Sequence, residues 1–154
     1  MRRVGFWRGT AKGVAAVEFA VASPLLLMLL AVMTDFGFLN HAQTALNAAV
    51  SAGTQYAYLT GTSVAATNIQ TLVQGSAGLS GVSATVTGPA CYCITGSSPS
   101  LTLASATCNG TCPDGVTTAG YYVKVKATYT YSPFFPAFAL LPTLVTAQQT
   151  IQVQ

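Results

Sequence analysis

The chain has 154 residues, enough for one domain of ordinary size, but 51% of them are hydrophobic and only 6% are charged, against roughly 25% charged in typical soluble domains. That composition excludes a highly solvated cytosolic enzyme, and the abundance of apolar and β-branched residues excludes intrinsic disorder. Four of the six cations (Arg2, Arg3, Arg8, Lys12) lie in the first twelve residues, and beyond Gly13 only Lys124 and Lys126 face Glu18, Asp35 and Asp114, so no basic patch remains to track nucleic-acid phosphates.

Residues 14 to 31, VAAVEFAVASPLLLMLLA, are apolar except for Glu18 and the small interruptions Ser23 and Pro24. A helix from Val14 to Thr34 is about 31 Å long at about 1.5 Å per residue, close to the hydrocarbon thickness of a bilayer. The basic cluster before it places the N-terminus in the cytoplasm and the rest outside by the positive-inside rule. A secretory signal peptide shares the basic start, but its apolar run is shorter and ends in a small-x-small cleavage site that is not found here. Pro24 is expected to bend the helix locally.

Glu18 is costly within an apolar layer and calls for a use or a partner; an acid reaching back to the cytoplasmic interface is the plainer alternative. Cleavage after Gly13 would give Val14 a free α-ammonium four residues before Glu18, on the same helix face. Amine and carboxylate could then neutralise one another, within one chain or between neighbouring chains, and set the axial register of a helical stack.

The run Lys12-Gly13-Val14-Ala15-Ala16-Val17-Glu18-Phe19 resembles the prepilin-peptidase site of type IV pilin-like proteins. Residues 13 to 57 as a whole, with Asp35-Phe36-Gly37 at the outer edge of the apolar run, are similar to the TadE-like minor pseudopilins of tight-adherence (Flp, type IVc) pilus systems. The resemblance implies cleavage after Gly13 by a prepilin peptidase acting in trans, with Glu18 at mature position five and Phe19 beside it. It also implies an inner-membrane assembly platform and other pilins or pseudopilins as partners, membrane lipid around the helix, and a part in adhesion and biofilm formation. No catalytic activity, cofactor or metal is implied. The location would be the bacterial inner membrane, single-pass, with the C-terminal domain periplasmic or extracellular. Many relatives carry a basic residue after the Asp-Phe-Gly triplet, where this chain has Phe38. The triplet is not that of a kinase, whose other elements are missing from the sequence.

Beyond Asp35, Leu39, Ala42, Leu46, Ala49, Val50, Gly53 and Ala57 recur at helical steps, which predicts that the membrane helix continues as a stalk to about residue 60. The small-residue face Ala42, Ala45, Ala49, Ala52, Gly53 suits either close approach in a bundle of copies or packing against the chain's own outer domain. Residues 65 to 74 are expected to form a short second helix started by Thr62 or Ser63. Strand patterns follow at 82–87, 121–131 and 144–153, a fourth strand at 101–103, and a proline-rich connection over Ser132–Pro136 and Leu141–Pro142. The predicted fold is therefore α+β and pilin-like: a leader (1–13), a transmembrane and stalk helix (14–60), and an outer antiparallel-sheet domain (61–154) packed on the stalk.

Cys91-x-Cys93 and Cys108-x-x-x-Cys112 fall outside the membrane, where disulfides are the default. Bridges between the two pairs are favoured over a Cys91–Cys93 bridge, which would strain a two-residue step; the connectivity stays open. A four-cysteine zinc site is the rival, with C-x-C tighter than its usual spacing. Asn109-Gly110-Thr111 fits a glycosylation sequon, though an Asn-Gly turn explains it more simply. His41, the single histidine, would have to meet a serine and Asp35 or Asp114 to form a hydrolytic triad. Tyrosines and phenylalanines near the C-terminus fit either sheet packing or an adhesive patch. An uncleaved, signal-anchored envelope binding protein outside any pilus is the alternative to the pseudopilin, and an envelope enzyme is a distant third.

Overall fold

A computed structural model of the chain describes residues 11–97, 100–135 and 142–154. Most of the predicted leader, together with Pro136 and Leu141 of the proline-rich connection, lies outside them. In chain order the elements are helix α1 (Ala11–Thr60), a 3₁₀ turn (Gly61–Ser63), helix α2 (Ala66–Ser76), and strands β1 (Ser83–Ser97), β2 (Ser100–Ser105), β3 (Gly120–Thr130) and β4 (Leu144–Val153). The four strands form one antiparallel sheet in the order β2-β1-β3-β4, so the fold is α+β as the sequence pattern predicts.

α1 is a single helix of 50 residues, about 75 Å long, and Pro24 stands within it without ending it. Its two halves differ in what they bury. From Val14 to Met33 the large apolar side chains are exposed on every side, with Val21 at 75% and Leu25 at 71%. The Thr34 hydroxyl donates to the Leu30 carbonyl at 2.8 Å, which keeps the polar group inside the helix. This helix is long and apolar enough to cross a membrane, and its most apolar stretch is unburied. In water such a surface would carry a large cost, since each apolar Å² left exposed forfeits about 25 cal/mol.

The second half of α1 packs. Leu46, Ala49, Val50 and Ala57 join Val64, Ile69 and Val73 around α2 and Val123, Val125, Ala127, Val145 and Val153 of the sheet in one core. The core is thus built from both sides of Thr60. Of the two uses open to the small-residue face, packing on the chain's own domain is the one taken: Ala42, Ala49 and Gly53 are buried, and Ala45 and Ala52 half-buried. Gly53 is a point of close approach. A Cβ there would stand 2.5 Å from Val73 Cγ2 and 3.2 Å from Ile69 Cγ2. Two polar ties accompany the packing: Thr54 donates to Gln149 Oε1 at 3.0 Å, and Gln43 Nε2 to the Thr146 carbonyl at 3.2 Å.

Three expectations need correction. Thr62 and Ser63 do not cap α2: Gly61, at φ +68°, ends α1 in the left-handed region, and the Ser63 hydroxyl bonds back to the Thr60 carbonyl. Ala65 is the N-cap, with no side-chain hydrogen bond. The first strand does not stop at Thr87 but continues to Ser97. A register shift between Thr87 and Ala90 absorbs Gly88-Pro89, because a bulge tolerates the missing proline N–H that a regular ladder would not. The fourth strand is longer than 101–103, since Tyr92 to Ser97 pair with Ser105 to Ser100 as the edge of the sheet. The strand expected at 144–153 has the observed bounds.

Gly53→Ala is expected to lower stability by about 1–2 kcal/mol. Overpacking by about 1–3 kcal/mol outweighs the gain of up to about 1 kcal/mol in helix propensity. Thermal unfolding of the full chain in detergent should show this, and Gly53→Ala/Val73→Ala should lose less than the sum of the single variants.

Candidate functional site

The Asp35-Phe36-Gly37 triplet divides between two environments. Phe36 and Gly37 are exposed, and a Cβ on Gly37 would meet nothing within 4 Å, so nothing in the packing demands glycine there. Asp35 is 1% exposed and turns toward the connection between β3 and β4. Its Oδ1 accepts the Phe134 N–H at 2.8 Å and the Tyr131 hydroxyl at 3.2 Å, and its Oδ2 accepts the Phe135 N–H at 3.1 Å. The Tyr131 hydroxyl also reaches the Asp35 backbone carbonyl at 3.0 Å. Every partner is a donor, so the group is bonded as a carboxylate. Residue 35, expected to mark the membrane exit, is thus also the joint between the helix and residues about a hundred positions later.

Burial, reinforced by the neighbouring Asp35 carboxylate, raises the Tyr131 hydroxyl above its ordinary pKa of 10.0. The Tyr131 N–H closes the base of the connection on the Thr143 carbonyl. Phe134 and Phe135 pack edge to face, 5.2 Å between ring centroids, and line a cavity of about 610 Å³ with Leu27, Leu30, Ala31 and Phe38 of α1.

At the other end of α1, Val14 and Glu18 lie one turn apart on an exposed face. Phe19 is 70% exposed. A Cβ on Gly13 would meet nothing within 4 Å, so nothing in the fold demands glycine at this position.

The cysteines pair as Cys91–Cys108 and Cys93–Cys112, which leaves no thiolate set for zinc. Cys91 and Cys93 project from the same face of β1, and the bridges fasten the β2–β3 connection over them. Cys91, Cys93, Cys112 and Ala119 form a second small cluster, joined to the main core through Tyr121. Within that connection Asn109, at φ +62°, sits in a turn closed from the Gly110 N–H to the Thr107 carbonyl, which is the turn reading of Asn-Gly. Asp114 accepts the Thr117 hydroxyl and the Thr117 and Val116 N–H groups; the Thr117 hydroxyl first, then those amides, hold its carboxyl below the ordinary carboxylate range.

His41 is exposed and shares a cavity of about 240 Å³ with Ser132 and Tyr131. Among the described residues no hydrogen bond joins His41 to Ser132. The Asp35 oxygens are taken by Tyr131, Phe134 and Phe135 and those of Asp114 by its own turn, so the geometry assembles no triad. No sequence pattern assigns Tyr131, Phe134 and Phe135 to Asp35 as partners. The one available signal was the placement of Tyr131 and Ser132-Pro133-Phe134-Phe135 immediately after the alternating strand.

Over residues 13–55 the chain matches the model of the TadE-like protein family. The match runs from Gly13 through the exposed apolar half of α1, Asp35-Phe36-Gly37 and the packed half as far as Gln55, so the resemblance read from the sequence holds across this segment. No curated protein and no solved structure matches the chain.

Asp35→Ala is expected to cost about 2–5 kcal/mol, because it leaves the Phe134 and Phe135 amides without their acceptor, while the Tyr131 hydroxyl keeps the residue 35 carbonyl. Asp35→Asn should fall between, since its amide group would face an N–H donor. The raised Tyr131 pKa contributes stability that is fully present below about pH 10 and is lost as pH rises through the folded value. Alkaline unfolding of the full chain should therefore be steeper than that of Tyr131→Phe, which lacks this ionisation. Cys108 is exposed, whereas Cys91, Cys93 and Cys112 are buried. A small polar reductant should thus open Cys91–Cys108 before Cys93–Cys112, as read by alkylation and peptide mass mapping.

Proposed function

We propose that the protein is a minor pseudopilin of a tight-adherence pilus, acting structurally in pilus assembly, adhesion and biofilm formation. The family match over residues 13–55 is the observation that carries this reading. It covers a helix whose first half exposes apolar side chains all round while its second half is built into a folded domain, as expected of a subunit that leaves the bilayer for a helical stack.

In this reading the chain sits in the bacterial inner membrane with its N-terminus inside and the domain of residues 61–154 outside. A prepilin peptidase hydrolyses the Gly13–Val14 bond and supplies the catalytic groups; this chain supplies an unhindered glycine. The new α-ammonium of Val14 lies one helical turn from Glu18 and compensates its charge in an apolar medium. When a neighbouring subunit supplies the amine instead, the pair sets the axial register. The assembly platform and other pilins receive the processed helix. The disulfide-fastened β2–β3 connection, in which Asn109, Asp114 and Val116 are exposed, meets further subunits or a target.

The mature N-terminus of the native membrane form, read by intact mass and terminal peptide sequencing, tests the proposal. Wild type should begin at Val14 and Gly13→Val should retain the leader; retention of residues 1–13 in wild type refutes processing and favours the signal-anchored protein. Glu18→Ala should still be cleaved yet be incorporated into pili roughly tenfold less, a factor that corresponds to about 1.4 kcal/mol. Unchanged incorporation would refute the register pair.

A further inference from the structure

We propose that the start of the β3–β4 connection is a second membrane contact: Phe134 and Phe135 enter the outer leaflet beside α1 and pack against lipid acyl chains. The inference rests on the reading that α1 spans the bilayer. If Val14 to Thr34 fills the hydrocarbon layer, Leu27 lies seven residues, about 10 Å, below its outer edge. Phe134 and Phe135 share a cavity wall with Leu27 and Leu30, so the two rings overlap the outer part of the span. Phe134 is nevertheless 75% exposed, and Phe38, itself exposed, extends the same wall. The resulting apolar surface is continuous with the lipid-facing surface of the helix, and no charged residue follows Lys126 in the chain.

The amide donors of this segment are already satisfied. Entry into hydrocarbon is opposed chiefly by unpaired N–H and C=O groups. Pro133 has no N–H, and the two amides that follow it, those of Phe134 and Phe135, both donate to Asp35. A second protein helix would also fit an apolar wall. The depth of the contact, set by α1 of the same chain, and its continuity with the span favour lipid, which is present wherever the helix is inserted.

The test uses the full chain with Trp7→Phe, which removes the single native tryptophan, in vesicles of phosphatidylcholine and phosphatidylglycerol. Phe134→Trp reports on the connection, Phe135→Trp serves as a second reporter, and Leu25→Trp reports on the span; protease resistance of the disulfide-bonded domain confirms that each variant folds. Phosphatidylcholine brominated along its acyl chains is expected to quench most of the emission of Leu25→Trp and of both connection reporters. Quenching of Leu25→Trp, with the connection reporters quenched only by aqueous iodide, would overturn the proposal and leave the spanning helix intact. Connection reporters shielded from both quenchers would also overturn it, with protein as the covering partner. If Leu25→Trp escapes bromine as well, the membrane-spanning reading fails and the proposal fails with it.

Discussion

A single carboxylate joins the two parts of this molecule. Asp35 sits where α1 passes from exposed apolar surface to packed core, and its partners are three dipoles of the β3–β4 connection rather than a cation. Burying such a group without partners would be prohibitive, whereas hydrogen bonds to a charged acceptor contribute about 1.5–3 kcal/mol each. The arrangement couples the sheet to the helix at the last turn before the exposed half, so the orientation of the domain relative to that half is held by the fold rather than by a linker.

The same helix presents two different surfaces. Its first half offers Val, Leu, Phe and Met on all faces, a surface suited to lipid or to other helices. Its second half concentrates Ala and Gly on one face, which lets α2 and the sheet approach until Gly53 meets Val73 and Ile69. The small residues let the partners come close, and Leu46 and Val50 beside them fill the core.

Far from the helix the domain has little apolar core, and covalent bonds take over. The loops closed by Cys91–Cys108 and Cys93–Cys112, with sequence separations of 17 and 19 residues, are each worth about 3 kcal/mol in the chain-entropy model. They hold a Gly/Thr-rich connection in which Cys112, Ala119 and Ala106 meet apolar neighbours. Proteins of an oxidising compartment commonly secure such segments in this way.

Periodicity and composition by themselves determined the long helix, the short second helix and the alternating strands, because these depend on residues a few positions apart: 144–153 alternates without interruption and forms β4 with those bounds. The apolar run with Gly13 and Glu18 was legible for the same reason. Where local signals compete, the tertiary structure decided. Gly88-Pro89 punctuates the sequence, yet the ladder with β3 carries β1 through it; Ser63 has the chemistry of a cap but bonds backward, because Gly61 turns the chain there. The small-residue face was compatible with two partners until α2 and the sheet occupied it. The cysteine connectivity and the burial of Asp35 were beyond the sequence altogether. Each depends on groups brought together across 17 to about 100 residues, and such proximity is a property of the folded sheet and of no local pattern.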